Sequence, residues 1–314
     1  MSRAPIVVFG FNRPKHLKSC LDSLEAAHGA HESDLFVFID GPRSTDDTSL
    51  MKACHVVAQA PRTFKSTTLF LRDTNIGLSL SIRTGIDRVM ETHERVIVVE
   101  DDLLVDAGFL LFMNEALEKY KAAWRVASIH GYTYPFTRDM ESSFFLRGAD
   151  CWGWATWQDR WASADFDGIR LYKGLVEADL VNDFDFGGEY DYSWMLRRQI
   201  LGKNDSWAVR WHASMFLQNR LTLYPPKSLV INVGADGSGS NSGVSNTYDT
   251  TLSEFTEWNF PSKVEESNEA RRALQEFFHS QNNTSKRRRI YHRLQRFFDS
   301  IALVIVLFLK KFRQ

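Results

Sequence analysis

The first hundred residues alternate short apolar runs with segments of helical periodicity, and no other feature constrains the fold as strongly. The apolar runs are Ile6–Gly10, Leu35–Ile39, Thr68–Leu71 and Arg95–Val99. The helical segments between them are His16–Ala27, Thr48–Gln59 and Leu78–Met90. Continuous apolar strands are covered on both faces, and strand–helix–strand repetition joins parallel strands. The pattern therefore predicts the α/β class, with a mostly parallel, doubly wound sheet.

Polar side chains follow three of these four strands. Asn12 and Arg13 come after the first, Asp40 after the second, and the triplet Glu100–Asp102 after the fourth. In open parallel sheets, ligands bind outside the carboxyl ends of the strands. We therefore expect a binding site at this edge.

The triplet Glu100–Asp102 is the sharpest chemical signal. Three adjacent carboxylates repel one another unless a cation neutralises them, and carboxylate oxygens suit Mg²⁺ or Mn²⁺. A solvated turn after a strand is the alternative. With 44% hydrophobic and 25% charged residues, the chain has the composition of a folded protein, which excludes bulk disorder.

Four segments together resemble a known family. They read PIVVFGFNRP, LFVFIDGPR, RDTNIGLSLSIRTGI and VIVVEDDL, and the resemblance runs in order over most of residues 5–235. The set resembles GT-A fold glycosyltransferases of the family-2 type, which use nucleotide-sugar donors. The acid triplet is similar to that of the Golgi N-acetylglucosaminyltransferases that start N-glycan branching, and the compact length is similar to bacterial surface-polysaccharide transferases. The triplet departs from the Asp-x-Asp form common in this fold.

The resemblance implies roles at the carboxyl edge. Asp102 matches the metal ligand on the donor diphosphate, whereas Glu100 and Asp101 match residues that touch the ribose or the donor sugar. Asp40 matches an acid that binds the nucleotide base, and Arg13 matches a residue near the base and phosphates. For Arg13 and Asp40, a structural turn role remains the alternative.

Further donor-site candidates lie on the first and third strands or just after them. We assign Phe9, Arg72, Asn75 and Gly77 to the donor pocket. A plain helix start with Asn75 as its cap is the competing interpretation.

The second half offers a base for the acceptor hydroxyl. An inverting transfer needs a carboxylate opposite the leaving diphosphate. Asp191 and Glu189 precede a segment that is similar to the helix start carrying the base in the Golgi enzymes, and Asp191 is the better match. Simple helix capping is the alternative.

An aromatic block and one histidine complete the candidates. Trp152, Trp154 and Trp157 are candidates for a wall that stacks on a sugar, although the spacing also fits a buried helical stripe. His212 is a candidate second metal ligand, since some members of the fold use a late histidine, but a packed core histidine is the alternative.

The chain is predicted to divide into four parts. Residues 1–105 form a nucleotide-sugar-binding half, residues 106–280 an acceptor-binding and catalytic α+β half, residues 281–289 a linker, and residues 290–314 a C-terminal amphipathic helix. The loop 234–243 is interpreted either as a lid over the donor or as a flexible linker.

The C-terminal segment has its own charge pattern. Residues 286–314 carry nine basic residues and one acid, and nine consecutive apolar residues lie near the end. That apolar length is too short to span a bilayer, so the segment is predicted to lie on an anionic membrane surface. Docking on a protein is the alternative, and nucleic acid is disfavoured by the acidic body.

The sequence thus predicts a metal-dependent, inverting glycosyltransferase that uses Mn²⁺ or Mg²⁺ and a nucleotide-diphosphate sugar. Its acceptor is expected to be a glycan or a lipid-linked glycan in cell-surface polysaccharide synthesis. Three widely spaced cysteines and no secretory leader pattern favour a cytoplasmic location, peripheral on the inner face of the plasma membrane. The rivals are a membrane-attached sugar-binding or scaffold protein and a sugar nucleotidyltransferase.

Overall fold

The computed structural model describes residues 3–238, 244–252, 258–281, 295, 298–299 and 301–303. The strands are β1 (Ile6–Gly10), β2 (Asp34–Ile39), β3 (Ser66–Leu71), β4 (Arg95–Glu100), β5 (Leu103–Val105), β6 (Val126–His130), β7 (Phe144–Arg147), β8 (Trp154–Trp157), β9 (Leu221–Tyr224) and β10 (Val230–Asn232). The helices are α1 (Pro14–Ala26), α2 (Thr48–Gln59), α3 (Leu78–Met90), α4 (Phe109–Lys119), α5 (Gln158–Ala162), α6 (Gly168–Glu177), α7 (Val181–Phe184), α8 (Tyr192–Ile200), α9 (Trp207–Leu217) and α10 (Asn268–Gln281).

Eight strands form one sheet in the order β3-β2-β1-β4-β8-β6-β9-β7. The four strands β3, β2, β1 and β4 are parallel. β8 runs antiparallel to its neighbours β4 and β6, whereas β6 and β9 run parallel to each other. The predicted α/β class with a large, mostly parallel sheet is therefore confirmed.

Helices cover both faces of this sheet, which explains the uninterrupted apolar strands. Along β1, Ile6 and Val8 face the layer that contains α1 and α2, whereas Val7 and Phe9 face the layer that contains α3 and α9. Each of these residues is at most 2% exposed. Burying such a side chain contributes about 1.5–3 kcal/mol, so strand burial on two faces is a large stabilising term.

A second, two-stranded sheet follows the acid triplet. β5 begins immediately after Asp102, at Leu103. It pairs antiparallel with β10, so that Asn232 lies opposite Leu103. This pairing returns a distant part of the chain to the carboxyl edge of β4.

The two predicted halves share the large sheet, because β6 to β9 continue the sheet that β1 to β4 begin. The predicted linker 281–289 and the tail 290–314 lie mostly outside the described residues. Asp299, a described residue of the tail, accepts a hydrogen bond from Trp194 Nε1 on α8 at 3.0 Å and forms an ion pair with Lys203. Within the described ranges, no helix combines the length and the apolar character needed to cross a membrane.

Candidate active site

The sheet reverses its winding direction beside β1, and this reversal locates the candidate site. From β1 the chain winds through β2 to β3 on one side, whereas β4 pairs with β1 on the other side. The loops that follow β1 and β4 therefore diverge and leave a crevice between them. Ligands of open α/β sheets bind in a crevice of this kind.

Arg13 and the acid triplet meet across the crevice. Arg13 follows β1, and its Nη2 donates to Asp102 Oδ2 at 3.0 Å and also pairs with the Asp101 carboxylate. The Asp101 side chain is 4% exposed, whereas those of Arg13 and Asp102 are 17% and 16% exposed. The guanidinium thus bridges two of the three carboxylates and leaves both Arg13 and Asp102 accessible from the crevice.

One guanidinium does not neutralise the triplet. Burial, reinforced by the charges of Asp102 and Asp101, raises the pKa of Glu100 to about 8. Burial also raises the pKa of Asp101 to about 6, although the Arg13 charge opposes this shift. Raised carboxylate pKa values mean that additional positive charge is favourable here.

The segment after β10 forms a wall beside Asp102. Val233 donates its N–H to the carbonyl oxygen of Asp102 at 2.8 Å. A Cβ added at Gly234 would lie 2.2 Å from Asp102 Oδ2, so only glycine fits here without a shift of that carboxylate. Asp236 lies 3.2 Å from His16 of α1, which joins the segment to the β1 side. Residues 239–243 of the predicted lid lie outside the described residues.

The residues present fit a divalent cation that is shared with a ligand. Among the described residues, no three His, Cys, Asp or Glu side chains are grouped to hold a metal ion by themselves. Mg²⁺ commonly uses one or two protein carboxylates and takes its other ligands from phosphates and water. Asp102 and Asp101 supply such carboxylates, and their present pairing with a cationic guanidinium shows that the position favours positive charge.

Asp40 connects the loops that follow β2 and β3. Its Oδ1 accepts the N–H groups of Gly41 and Ile76 at 2.9 and 3.0 Å, and its Oδ2 accepts that of Gly77 at 2.9 Å. Asn75 Nδ2 donates to the Gly41 carbonyl oxygen at 2.9 Å. Asp40 is 5% exposed, so its carboxylate shapes this edge and is not openly presented to a nucleotide base. Asn75 and Gly77 take part in the same hydrogen bonds that join these two loops.

Two other donor candidates point away from the crevice. Phe9 is 2% exposed and stacks on Phe38, in the core beneath α3. The assignment of Phe9 as a donor contact is corrected, because strand alternation turns its ring into the layer opposite that of Val8. Arg72 donates from Nη2 to Thr84 of α3 at 3.1 Å, which places its guanidinium against that helix.

Two of the three candidate wall tryptophans are core residues. Trp154 is fully buried, with its ring 5.6 Å from those of Trp207 and Trp211. Trp157 is 3% exposed and donates from Nε1 to Leu117 of α4. Both lie on β8 in the middle of the sheet, so the wall assignment is corrected for them in favour of the core alternative.

Trp152 is different, because it precedes β8 at the carboxyl edge. It is half-buried, and its ring lies edge-on to Tyr132 at 4.8 Å and to Tyr248 at 5.6 Å. Its backbone N–H donates to His130 Nε2 at 2.9 Å. Trp152 thus remains a candidate for contact with a sugar.

His212 lies in an aromatic environment. Its ring stacks on Tyr192 at 4.5 Å, and its Nδ1 faces the backbone of Ala149. Burial lowers the pKa of His212 to about 4, so the ring is neutral at pH 7. In the part of the chain that the structure describes, no metal-type cluster joins it to Asp102. The structure favours the packed-histidine alternative.

The predicted base candidates lie near the start of α8. Asp185 caps this helix: its Oδ1 accepts the N–H of Ser193 at 2.7 Å, and its Oδ2 accepts the Ser193 hydroxyl at 2.5 Å. Asp191 occupies the N-cap position of α8, and its side chain makes no capping hydrogen bond there. Glu189 lies 3.0 Å from His279 on α10.

The sequence analysis missed a carboxylate on the acceptor side. Asp150 lies between β7 and β8 and accepts hydrogen bonds from Tyr134 and Tyr224. No sequence motif links Asp150 to Tyr134 or Tyr224, which lie 16 and 74 residues away in the chain. The one available signal was the position of Asp150 just before a strand that leads back along the sheet.

Comparisons with known proteins are limited to structure. No protein-family model and no curated protein sequence matches this chain. Among solved structures, it is similar to the mannosyltransferase PcManGT from Pyrobaculum calidifontis in complex with GDP-Man and Mn²⁺, at 20% identity over 42% of this chain and 36% of that chain, with a TM-score of 0.33. It is also similar to S. aureus TarS, at 13% identity over 47% of this chain and 25% of that chain, with a TM-score of 0.29. The matches span about a third and a quarter of those proteins, and likeness at these TM-scores does not extend to function.

Proposed function

We propose that this protein is a metal-dependent, inverting glycosyltransferase that uses a nucleoside-diphosphate sugar as donor. The observation that carries the proposal is the pairing of Arg13 with Asp101 and Asp102 across the crevice between β1 and β4. A guanidinium is a good ligand for a diphosphate, and carboxylates are good ligands for the cation that accompanies it. A sugar-binding scaffold would not need this combination.

On the donor side, different residues bind the cation, the phosphates and the nucleotide. Asp102, with Asp101 beside it, would hold Mn²⁺ or Mg²⁺, which supplies Lewis-acid stabilisation of the leaving diphosphate. Arg13 binds the phosphate oxygens once the donor enters, since its side chain reaches the crevice from the opposite loop. The loops braced by Asp40 and Asn75 frame the nucleotide end, and the wall at Gly234 closes the crevice beside Asp102.

The acceptor side belongs to the second half of the chain. A carboxylate there takes the proton of the attacking hydroxyl, and this hydroxyl approaches the anomeric carbon from the face opposite the diphosphate. The sequence names Asp191 and Glu189 for this role. Of these two, Asp191 is favoured, because its position before the helix is the better match to the base of the resembled enzymes. We propose glycans or lipid-linked glycans of cell-surface polysaccharides as acceptors.

We also propose that the protein acts in the cytoplasm on the inner face of the plasma membrane, held there by the basic and apolar residues of 286–314. The acidic body and the basic tail support this arrangement through their opposite charges.

Thermal unfolding of the full chain with UDP, GDP or dTDP, each with and without Mn²⁺, tests the donor site. A ligand at a hundredfold excess over its dissociation constant stabilises the folded state by about 2.7 kcal/mol. We expect one nucleotide to raise Tm only when Mn²⁺ is present, and Asp102→Asn to abolish that rise.

Asp159→Asn is the matched control, because Asp159 on α5 is 69% exposed and lies beyond the opposite end of β8. It should respond as the wild type does. A rise in Tm that is independent of Mn²⁺, or one that persists in Asp102→Asn, would contradict the metal assignment.

A further inference from the structure

Asp150 is a carboxylate on the acceptor side, and the proposed donor site does not use it. Its Oδ2 accepts hydrogen bonds from the hydroxyls of Tyr134 at 2.7 Å and Tyr224 at 3.4 Å. Its Oδ1 accepts the backbone N–H of Cys151 at 3.0 Å. The residue is only half-buried, so the carboxylate is both held in place and accessible.

The loop from Asp150 to Gly153 lies at the same edge as the acid triplet. It leads into β8, whose first residue, Trp154, pairs with Val98 of β4 and with His130 of β6. The carbonyl oxygen of Gly153 accepts the N–H of Gly131 at 2.6 Å, which fixes the loop to the end of β6. Since strands are about 4.8 Å apart, the ends of β4 and β6 are separated by roughly 10 Å.

This separation suits an inverting transfer. The attacking oxygen, the anomeric carbon and the leaving phosphate oxygen stand in line, and the attacking oxygen lies about 3 Å from both the anomeric carbon and the base. A base on the order of 10 Å from the cation that binds the diphosphate satisfies this geometry. Asp150 binds Tyr134, which follows β6, and Tyr224 at the end of the next strand, β9, whereas the cation candidate Asp102 follows β4.

Aromatic side chains surround Asp150. Trp152 presents a half-buried indole beside Tyr132 and Tyr248. Tyr134 also lines a neighbouring cleft of about 550 Å³, whose lining does not include Asp150. Aromatic faces pack against the apolar face of a sugar, and tyrosine hydroxyls bind its polar groups.

The groups that contact the Asp150 carboxylate act as its hydrogen-bond donors. Burial, together with the Asp150 charge, raises the pKa of Tyr134 and of Tyr224 well above the ordinary range, so both stay protonated as donors. Burial lowers the pKa of His130, and its Nε2 already accepts the Trp152 N–H.

We propose that Asp150 and its tyrosines form the acceptor-sugar site, in which the Asp150 carboxylate takes the proton of the attacking hydroxyl. The acceptor oxygen then bonds to the anomeric carbon, the bond from that carbon to the phosphate oxygen breaks, and its electron pair leaves with the nucleoside diphosphate. The inference rests on the proposed function and assigns the base of that reaction to Asp150 in place of Asp191.

Asp150→Asn, Asp191→Asn and the control Asp159→Asn separate these roles. The donors are UDP-glucose, UDP-N-acetylglucosamine, GDP-mannose and dTDP-rhamnose with Mn²⁺, and release of the nucleoside diphosphate is measured with water and with a panel of methyl glycosides as acceptors. Asp150→Asn should lower kcat about 10²–10⁴-fold, the usual contribution of a general base. It should leave the Mn²⁺-dependent rise in Tm with nucleoside diphosphate unchanged, and Asp159→Asn should match the wild type in both measurements.

Tyr134→Phe tests the cluster without removing the carboxylate, because it keeps the ring and deletes one hydrogen bond. It should lower kcat roughly tenfold, which corresponds to about 1.4 kcal/mol, because one hydrogen bond to the carboxylate is lost. Saturation-transfer NMR of the methyl glycosides, with nucleoside diphosphate and Mn²⁺ present, should show contacts in the wild type that weaken in Tyr134→Phe and in Asp150→Asn.

The outcomes distinguish the two proposals. If the wild type binds no nucleoside diphosphate, the proposed function fails. If it binds one, but turnover and glycoside contacts survive Asp150→Asn or depend on Asp191 instead, the assignment of Asp150 is overturned while the donor site stands. Should Asp150→Asn fail to fold, unchanged kcat and glycoside contacts in Tyr134→Phe would overturn the assignment.

Discussion

At the scale of single residues, Glu100 makes the metal-free site sensitive to pH. Its pKa is raised from the ordinary 4.5 to about 8, first by burial and then by the charges of Asp102 and Asp101. The folded state therefore holds a proton that the unfolded chain releases near pH 4.5. Since the unfolded state binds fewer protons in this window, the free energy of unfolding falls as pH rises from about 4.5 to about 8.

Glu100→Gln should remove this dependence, because the amide keeps the shape of the side chain and carries no charge. Without metal, we expect the variant and the wild type to have similar Tm values near pH 4.5, and the variant to be several degrees more stable near pH 8.5. Thermal unfolding in a chelator, over a pH series, measures this. Glu91→Gln, at an exposed site on the surface, should follow the wild type. An equal slope in Glu100→Gln and wild type would contradict the electrostatic account.

At the scale of elements, the pairing of β10 with β5 determines the shape of the donor crevice. It brings Gly234 so close to Asp102 that an added Cβ would lie 2.2 Å from the carboxylate oxygen. The sequence shows Gly234 only as the first residue of a small-residue loop. Its packing role follows from strand pairing across more than a hundred residues.

Gly234→Ala should move the Asp102 carboxylate and weaken metal-dependent nucleotide binding while the rest of the fold remains. We expect the Mn²⁺-dependent rise in Tm to shrink by more than half, and Tm without ligand to fall by only a few degrees. Calorimetry of nucleoside diphosphate binding with Mn²⁺ provides a second measurement. Ser238→Ala is the control, because it changes the same segment of the chain but lies further along the sequence from Gly234. Nucleotide binding of Gly234→Ala equal to that of the wild type would show that this wall is not part of the donor site.

At the scale of the whole molecule, the charge is divided between an acidic body and a basic C-terminal segment. Asp299, whose side chain is 4% exposed, connects the segment to Trp194 on α8 and to Lys203 in the loop after it. This contact connects the membrane-binding candidate to the acceptor half, since α8 follows directly after Asp191. A membrane-bound tail would thereby hold the acceptor side near the lipid surface.

Replacement of Arg287, Arg288 and Arg289 by alanine tests the membrane proposal. Each basic residue near an anionic surface contributes about 1 kcal/mol, so the triple variant should bind anionic vesicles roughly a hundredfold more weakly. Co-sedimentation with phosphatidylserine and phosphatidylcholine vesicles measures this. Binding of the wild type should also fall with salt. Equal sedimentation with both lipids, or no effect of the triple variant, would favour docking on a protein.

Local pattern was sufficient for the elements of the first half. Thr48–Gln59 and Leu78–Met90 are helices with the predicted bounds, and the four strands lie where their apolar runs predicted them. β1, β2 and β4 are buried on both faces, and the helices follow short-range periodicity, so neighbouring residues in the sequence are enough to predict them. The position of the acid triplet at the end of β4 could also be predicted, because the triplet directly follows the apolar run of that strand in the sequence.

Only the tertiary structure decided which side chains share a space. The sequence treats Trp152, Trp154 and Trp157 alike, whereas the position of β8 inside the sheet buries the last two and leaves the first at the edge. The same holds for Asp150, whose partners Tyr134 and Tyr224 come from the loop after β6 and from the end of β9. The sequence by itself therefore determined the four parallel strands of the first half and the position of their acidic edge. The acceptor side depended on pairings between distant strands, which leave no local trace because each partner is chosen by the packing of the whole sheet.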